Sequence, residues 1–327
     1  MSASIRSQLE NHIHEFCKHY RIPMTEGYFA TQRYIEERIA TEGLQSIRQH
    51  FHVYGFGQCT NIYTEIGDAS KPRILLGAHY ESRSCSGVAA DDNASACAVL
   101  LSLMGELKKS KDYCFTVIFF DMEENLGWSS LRGSRHFARH YDKSLERVII
   151  LDLIGGALAP GFENTFMQFG TALAPLTHPT HRFLHLPLRV VEPFGSMGAR
   201  SDYDEFRKRG IPFTFISTGT PWYYHTEFDT PDILIWDKMV ALTEVLRDQL
   251  LAPRIPSATE SGSVKYFATF LEIVLQTMEL KTPRIEKYYQ RARDQKKMPS
   301  PLGMALLYKD ILPRLRKFRA ELWKKAA

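Results

Sequence analysis

Long apolar runs are missing from this chain. No stretch approaches the roughly 18–20 consecutive apolar residues that a membrane-spanning helix requires, so no membrane span is expected. The first residues, MSASIRSQLENHIHEF, hold no apolar core of signal-peptide length and no small-residue cleavage site behind one, and a cytoplasmic location is the expectation. Cysteine is scarce and unpatterned: Cys17, Cys59, Cys85, Cys97 and Cys114 are odd in number, irregularly spaced and never in C-x-x-C. They read as free thiols in a reducing compartment, which excludes a disulfide framework and a cysteine-rich zinc site. Excess charge is small as well. A net charge of +4 over 327 residues gives no sign of a nucleic-acid partner, although basic runs such as RARDQKK and RLRKFRAELWKK crowd the last third. Internal repeats and low-complexity tracts are absent. Oligomeric state leaves no mark in the sequence.

What is present is the composition of a globular protein, 44% apolar and 24% charged. The length suits one large α/β domain with an appendage. IRSQLENHIHEFCKHY and YFATQRYIEERIATEG read as helices, the second stopping at Gly43. PRILLGAHY, CFTVIFFDM, RVIILDLIG and PFTFIS are short, apolar and rich in β-branched or aromatic residues, so they read as buried strands. ASACAVLLSLMGELKKS and GSRHFARHYDKSL between them have helical length and composition. This alternation predicts a three-layer α/β/α domain around a mixed, mostly parallel sheet, over residues 1–253. Beyond Pro253 a polar, Pro- and Ser-rich stretch leads into helical sequence, which predicts a basic helical extension over residues 254–327.

The chemistry lies where the strands end. Ligands of open α/β sheets bind beyond the carboxyl ends of the strands. His79 ends ILLGAHY, Glu123 and Glu124 end VIFFDMEE, and Asp152 sits in the end of VIILDLIG. Asp91 lies in the loop GVAADDNAS and His225 in WYYHTEFDT. A carboxylate at the end of an apolar strand is partly desolvated and needs a cation or hydrogen bonds to stay ionised. Imidazole nitrogen and carboxylate oxygen are normal zinc donors, and a pair of zinc ions needs a carboxylate shared between them.

As a set, LLGAHYES, GVAADDNASACAVLL, FFDMEEN, LDLIG, SDYDEFRKRGIPF and YYHTEFDT resemble the motifs of the zinc exopeptidase family of bacterial leucyl aminopeptidases, peptidase family M28. The likeness runs from about residue 25 to 250. It implies two zinc ions per chain, with His79 and Asp152 on one, Glu124 and His225 on the other, Asp91 bridging and Glu123 as general base. The implied activity is hydrolysis of the N-terminal peptide bond of a peptide or small N-terminal amino acid derivative. Two departures stand out. Glu81 replaces the usual Asp two residues after the first His, a group that orients that ligand. The segment after the Glu pair is lengthened to NLGWSSLRGSRHF.

The lengthened segment and LDLIG also resemble animal-type glutaminyl cyclases, which share the fold and most ligands but use a single zinc and close N-terminal glutamine into pyroglutamate. That likeness implies Trp128 and Asp202 as substrate-pocket residues. Those cyclases carry Trp immediately before the last His, where this chain has Tyr224. A third reading is a catalytically silent binding module of the same fold.

Several neighbours have plainer expectations. Asp92 reads as a turn or N-cap group for the ASACAVLL helix. Asp202 either supports the ligands or caps the EFRKR helix, and Asp229 fixes the loop bearing His225. Trp222, Tyr223 and Tyr224 could wall a pocket or pack in the core. His178, His181 and His185 follow no predicted strand and have no nearby carboxylate.

Overall fold

The computed structural model describes residues 4–124, 131–190, 201–260, 262–277, 282–300 and, near the end of the chain, 302–304, 306–307 and 309–311. Two helices come first, α1 (Ile5–Phe16) and α2 (Glu26–Thr41), capped by the side chains of Ser4 and Thr25. Gly43 follows α2 at φ +71°, a left-handed position that glycine takes without strain, so the predicted stop is where the chain turns. The strands are β1 (Ile47–Val53), β2 (Gly57–Ile66), β3 (Arg73–His79), β4 (Cys114–Phe120), β5 (Arg147–Leu151), β6 (Thr165–Gly170), β7 (Arg182–His185) and β8 (Phe213–Ser217). Further helices are α3 (Ala96–Leu107), α4 (Arg132–His140), α5 (Tyr203–Arg207), α6 (Trp236–Leu250), α7 (Val264–Thr277) and α8 (Pro283–Asp294).

All eight strands join one sheet in the order β1-β2-β4-β3-β5-β8-β6-β7. The central strands β4, β3, β5 and β8 run parallel. Antiparallel pairing enters at β1–β2, β2–β4 and β6–β8. Every residue of β3, β4, β5 and β8 is buried, because helices cover both faces, and this is why these strands read as unbroken apolar runs. Side chains alternate between two cores. Ile74, Leu76, Ala78, Ile149 and Leu151 meet α1, α2, α3 and α6 on one face. Leu75, Val148 and Ile150 belong with α4, α5, α7 and α8 on the other. The architecture is the expected three-layer α/β/α arrangement.

Four strands went unforeseen. β1 and β2 interleave polar with apolar residues because β1 forms the sheet's edge with one face open, and β6 and β7 are short. Beyond residue 253 the described helices do not stand apart: Phe267, Leu271, Val274 and Ile285 lie in the same buried cluster as Leu184 and Leu186 at β7. Among the described residues no helix is long and apolar enough to cross a membrane.

Candidate active site

Parallel strands all deliver their carboxyl ends to one edge, and the polar residues gather there. His79 is the last residue of β3, Glu123 and Glu124 follow β4, Asp152 follows β5, and His225 lies in the loop after β8. The segment Ala90–Ser95, an irregular turn of wide helix entered through Ala89 in a left-handed conformation, brings in the remaining carboxylate.

That carboxylate is Asp92, which corrects the expectation for Asp91. Asp92 Oδ1 stands 3.3 Å from His79 Nε2, and its Oδ2 stands 3.3 Å from His225 Nε2. His79 Nε2 is also 3.6 Å from Asp152 Oδ1, and His225 Nε2 is 2.7 Å from Glu124 Oε1. Ligand-capable atoms of His79, Asp92 and Glu124 all lie within 4.8 Å of one another. Asp91 points the other way. Its Oδ1 accepts from Gly155 N at 2.6 Å and from Ser95 Oγ at 3.1 Å, and its Oδ2 accepts from Tyr223 Oη at 2.7 Å. Gly156 leaves room for this arrangement, since a Cβ there would sit 1.5 Å from the Tyr223 hydroxyl oxygen. Asp92 therefore does not cap α3. Asp229 holds the doublet in place, its two oxygens accepting from the amides of Asp91 and Asp92 at 2.7 and 3.0 Å, which ties the His225 loop to this segment.

The donors fit a divalent cation. His79 Nε2, Asp92 Oδ2 and Asp152 Oδ1 are buried without hydrogen-bond partners. Burying such atoms unpaired costs several kcal/mol in general, and a cation among them removes that cost. Imidazole and carboxylate are the donor set that zinc accepts. His79 is oriented from behind: its Nδ1 lies 3.2 Å from the Glu81 carbonyl oxygen, which fixes the hydrogen there and leaves Nε2 free to ligate. The Glu81 carboxylate does a second job. Its Oε1 accepts from the Glu124 amide at 2.9 Å, and its Oε2 is 3.8 Å from His79 Nδ1, so the longer side chain braces the segment carrying the Glu pair.

Crowded carboxylates shift one another's titration. Burial pushes the Glu123 carboxyl well up, with the charges of Glu124, Asp152 and Asp202 adding to it against His79. Burial, then the charge of Asp92, brings Glu124 up to about 8. Burial opposes protonation of His225, but the carboxylates of Asp92 and Glu124 outweigh it and hold its pKa at about 9. Asp202 precedes α5 without capping it; both its oxygens are buried and lack partners, and burial lifts it to about 7. The ring of Tyr224 stacks on His225 at 3.6 Å between centroids. Tyr223 is committed to Asp91, and Trp222 packs on Tyr223 and Phe228. Trp128 lies outside the described residues. His185 belongs to strand β7, while His178 and His181 pair with each other through Nδ1 atoms 3.2 Å apart, away from this cluster. Sequence reasoning also missed Arg83, whose Nη1 lies 3.1 Å from His225 Nδ1; a single arginine in a loop carries no periodic signal.

Comparison with known proteins gives the family and the fold. Residues 61–250 match the model of peptidase family M28. Glutaminyl-peptide cyclotransferase of Bos taurus is 26% identical over 277 residues, covering 69% of this chain and 76% of that protein. Among solved structures, the glutaminyl cyclase of Porphyromonas gingivalis superposes with a TM-score of 0.59 at 20% identity, over 76% of this chain and 96% of that one. A Zn-dependent exopeptidase from Parabacteroides distasonis does so with a TM-score of 0.57 at 19% identity, over 76% and 97%.

Proposed function

The chain belongs to peptidase family M28, and from that premise we propose that it is a zinc-dependent aminopeptidase that hydrolyses the N-terminal peptide bond of peptides. The observation that carries this reading is the two-sided Asp92, one oxygen facing His79 and the other His225. A carboxylate shared in this way suits two zinc ions, one on His79 and Asp152, the other on Glu124 and His225, with Asp92 taking the bridging part first expected of Asp91. Zinc bound there supplies Lewis acidity, polarising a carbonyl and bringing the pKa of water to near 7.

The chain's own residues do the rest. Glu123, buried next to Glu124 at the end of β4, takes a proton from the attacking water and returns it to the departing amine. The surrounding carboxylates attract the substrate's terminal ammonium group. Glu81 keeps His79 and the Glu pair in register.

A second reading, cyclisation of N-terminal glutamine, is favoured by the curated cyclotransferase relative and by Asp202. In that reaction the terminal amine attacks the side-chain amide carbonyl and ammonia leaves, so a proton must pass from one nitrogen to the other. Asp152 and Asp202 lie close enough to Glu123 for their charges to raise its pKa, and Asp152 does the same to Asp202, a proximity that suits such a relay. One paired assay separates the readings: zinc-loaded protein with amino-acid p-nitroanilides and with a glutaminyl peptide, each with and without chelator. Chelator-sensitive release of p-nitroaniline is expected. Pyroglutamate formation without hydrolysis would replace the peptidase by the cyclase, and zinc binding with neither product would favour a silent binding module.

A further inference from the structure

Arg83 stands half-buried at the mouth of the site, beside His225. Among the described residues its guanidinium makes no ion pair, although Glu81 and Glu124 line the same pocket. Among the described residues its one polar contact is Nη1 to His225 Nδ1 at 3.1 Å. That contact is awkward for a working site. A neutral histidine that offers Nε2 to a cation carries its hydrogen on Nδ1, and an N–H there cannot accept from a guanidinium. With His225 so engaged, Arg83 is a donor in search of an acceptor.

The space beside it defines that acceptor. A cavity of about 90 Å³ opens between Ile22, Pro23 and Phe56 on one side and Glu81, Arg83 and Glu124 on the other. Its volume suits one small terminal group, and its wall of Ile22, Pro23 and Phe56 suits an apolar side chain. Among the described residues the arginine is the one basic residue lining it. Guanidinium recognises carboxylate through paired, charge-assisted hydrogen bonds that a neutral amide cannot reproduce.

We propose that Arg83 is a specificity residue that binds the free α-carboxylate of a short substrate, so that the enzyme favours dipeptides with an apolar second residue over longer or amidated peptides. This rests on the aminopeptidase reading, and the test separates the two. Zinc-loaded wild type, Arg83→Ala and Arg83→Lys are assayed on leucyl-leucine and on leucyl-leucinamide, with KM and kcat resolved. Wild type should favour the free acid by about tenfold or more, the discrimination expected of a charge-assisted pair. Arg83→Ala should collapse that ratio to near one, with the loss falling on the KM of the acid, and Arg83→Lys should keep part of it. A ratio equal in wild type and Arg83→Ala would overturn the assignment, as would a parallel fall on both substrates. If wild type cleaves neither compound, the aminopeptidase reading fails, and Arg83 is then judged by titration calorimetry with the same two ligands. Preference for the acid that disappears in Arg83→Ala upholds its role; equal or absent binding of both ends it.

Discussion

Two acidic clusters lie back to back in this fold, and they differ in one respect. Around Asp91 every buried oxygen has a protein donor: Gly155 N, Ser95 Oγ and Tyr223 Oη serve Asp91, while the amides of Asp91 and Asp92 serve Asp229. Around Asp92, equally buried, Asp92 Oδ2, Asp152 Oδ1 and both oxygens of Asp202 have none. Burial and charge are alike in the two, so neither marks a working site. The clustering of unsatisfied carboxylate oxygens beside two histidines does, because buried polar groups are as a rule hydrogen-bonded and a cation would meet these. One cluster is a scaffold, the other a receptacle.

The largest effect that would sharpen this contrast falls on the proposed base. Glu123→Gln should lower kcat by about 10²–10⁴-fold, the usual contribution of general base catalysis, while zinc content measured by atomic emission stays that of wild type. A fall of less than about tenfold would remove Glu123 from that role.

The adjacent aspartates supply the next test, since they should fail in opposite ways. Asp92→Asn should lose zinc, and with it the stabilisation zinc confers, about 3–4 kcal/mol at free metal 100–1,000 times the dissociation constant. Its metal-free form should lose less stability than metal-free Asp91→Asn, because only the 3.3 Å contacts to His79 and His225 weaken and no backbone or hydroxyl donor loses its acceptor. Asp91→Asn should retain zinc yet lose about 1–3 kcal/mol of stability in either form, as an amide cannot accept from all of Gly155, Ser95 and Tyr223. Urea unfolding with and without chelator reads both. Zinc loss in Asp91→Asn with an intact Asp92→Asn would reverse the assignment.

The sequence could not have made that distinction. Central strands are legible because burial on both faces forces continuous apolar runs, and their ends locate His79, Glu124 and Asp152. Adjacent carboxylates are another matter. Which member of the Asp91–Asp92 doublet turns inward is set by the left-handed Ala89 and the irregular Ala90–Ser95 segment, and neither leaves a periodic trace. Spacing that tolerates a one-residue shift fits both. The same holds for Arg83: a lone charge in a loop looks the same whether it faces water or a site. β1 did carry a signal, its alternating exposure, but interleaved polar residues lacked the apolar density of the core strands.

A smaller effect probes the scaffold side. Burial holds the Lys238 ammonium down at about 7, where its Nζ donates to the Gly156 carbonyl at 2.6 Å beneath the Asp91 cluster. The unfolded chain, with an ordinary lysine pKa of about 10.4, binds more protons than the folded one between about pH 7 and pH 10. Stability therefore rises with pH through that window, by at most about 1.4 kcal/mol per unit from this group. Lys238→Met should flatten the rise relative to wild type in urea titrations at pH 7, 8 and 9, and parallel slopes would show that the lysine remains charged in the fold.

The smallest effect is expected where the two clusters' supports meet the family pattern. Glu81 stands where the related exopeptidases have Asp, and its extra methylene lets Oε1 reach the Glu124 amide while the backbone carbonyl, not the carboxylate, takes His79 Nδ1. Glu81→Asp shortens that brace but leaves the histidine's carbonyl contact untouched, so activity should change by less than about tenfold, the lower bound for losing a group that orients a metal ligand. Glu81→Gln removes the charge at full length and keeps an oxygen for the Glu124 amide, so its effect should be similar. A loss of 100-fold in zinc affinity for Glu81→Asp, with Glu81→Gln near wild type, would mean that reach governs this position. The same loss in Glu81→Gln alone would mean that its negative charge acts on His79 across 3.8 Å.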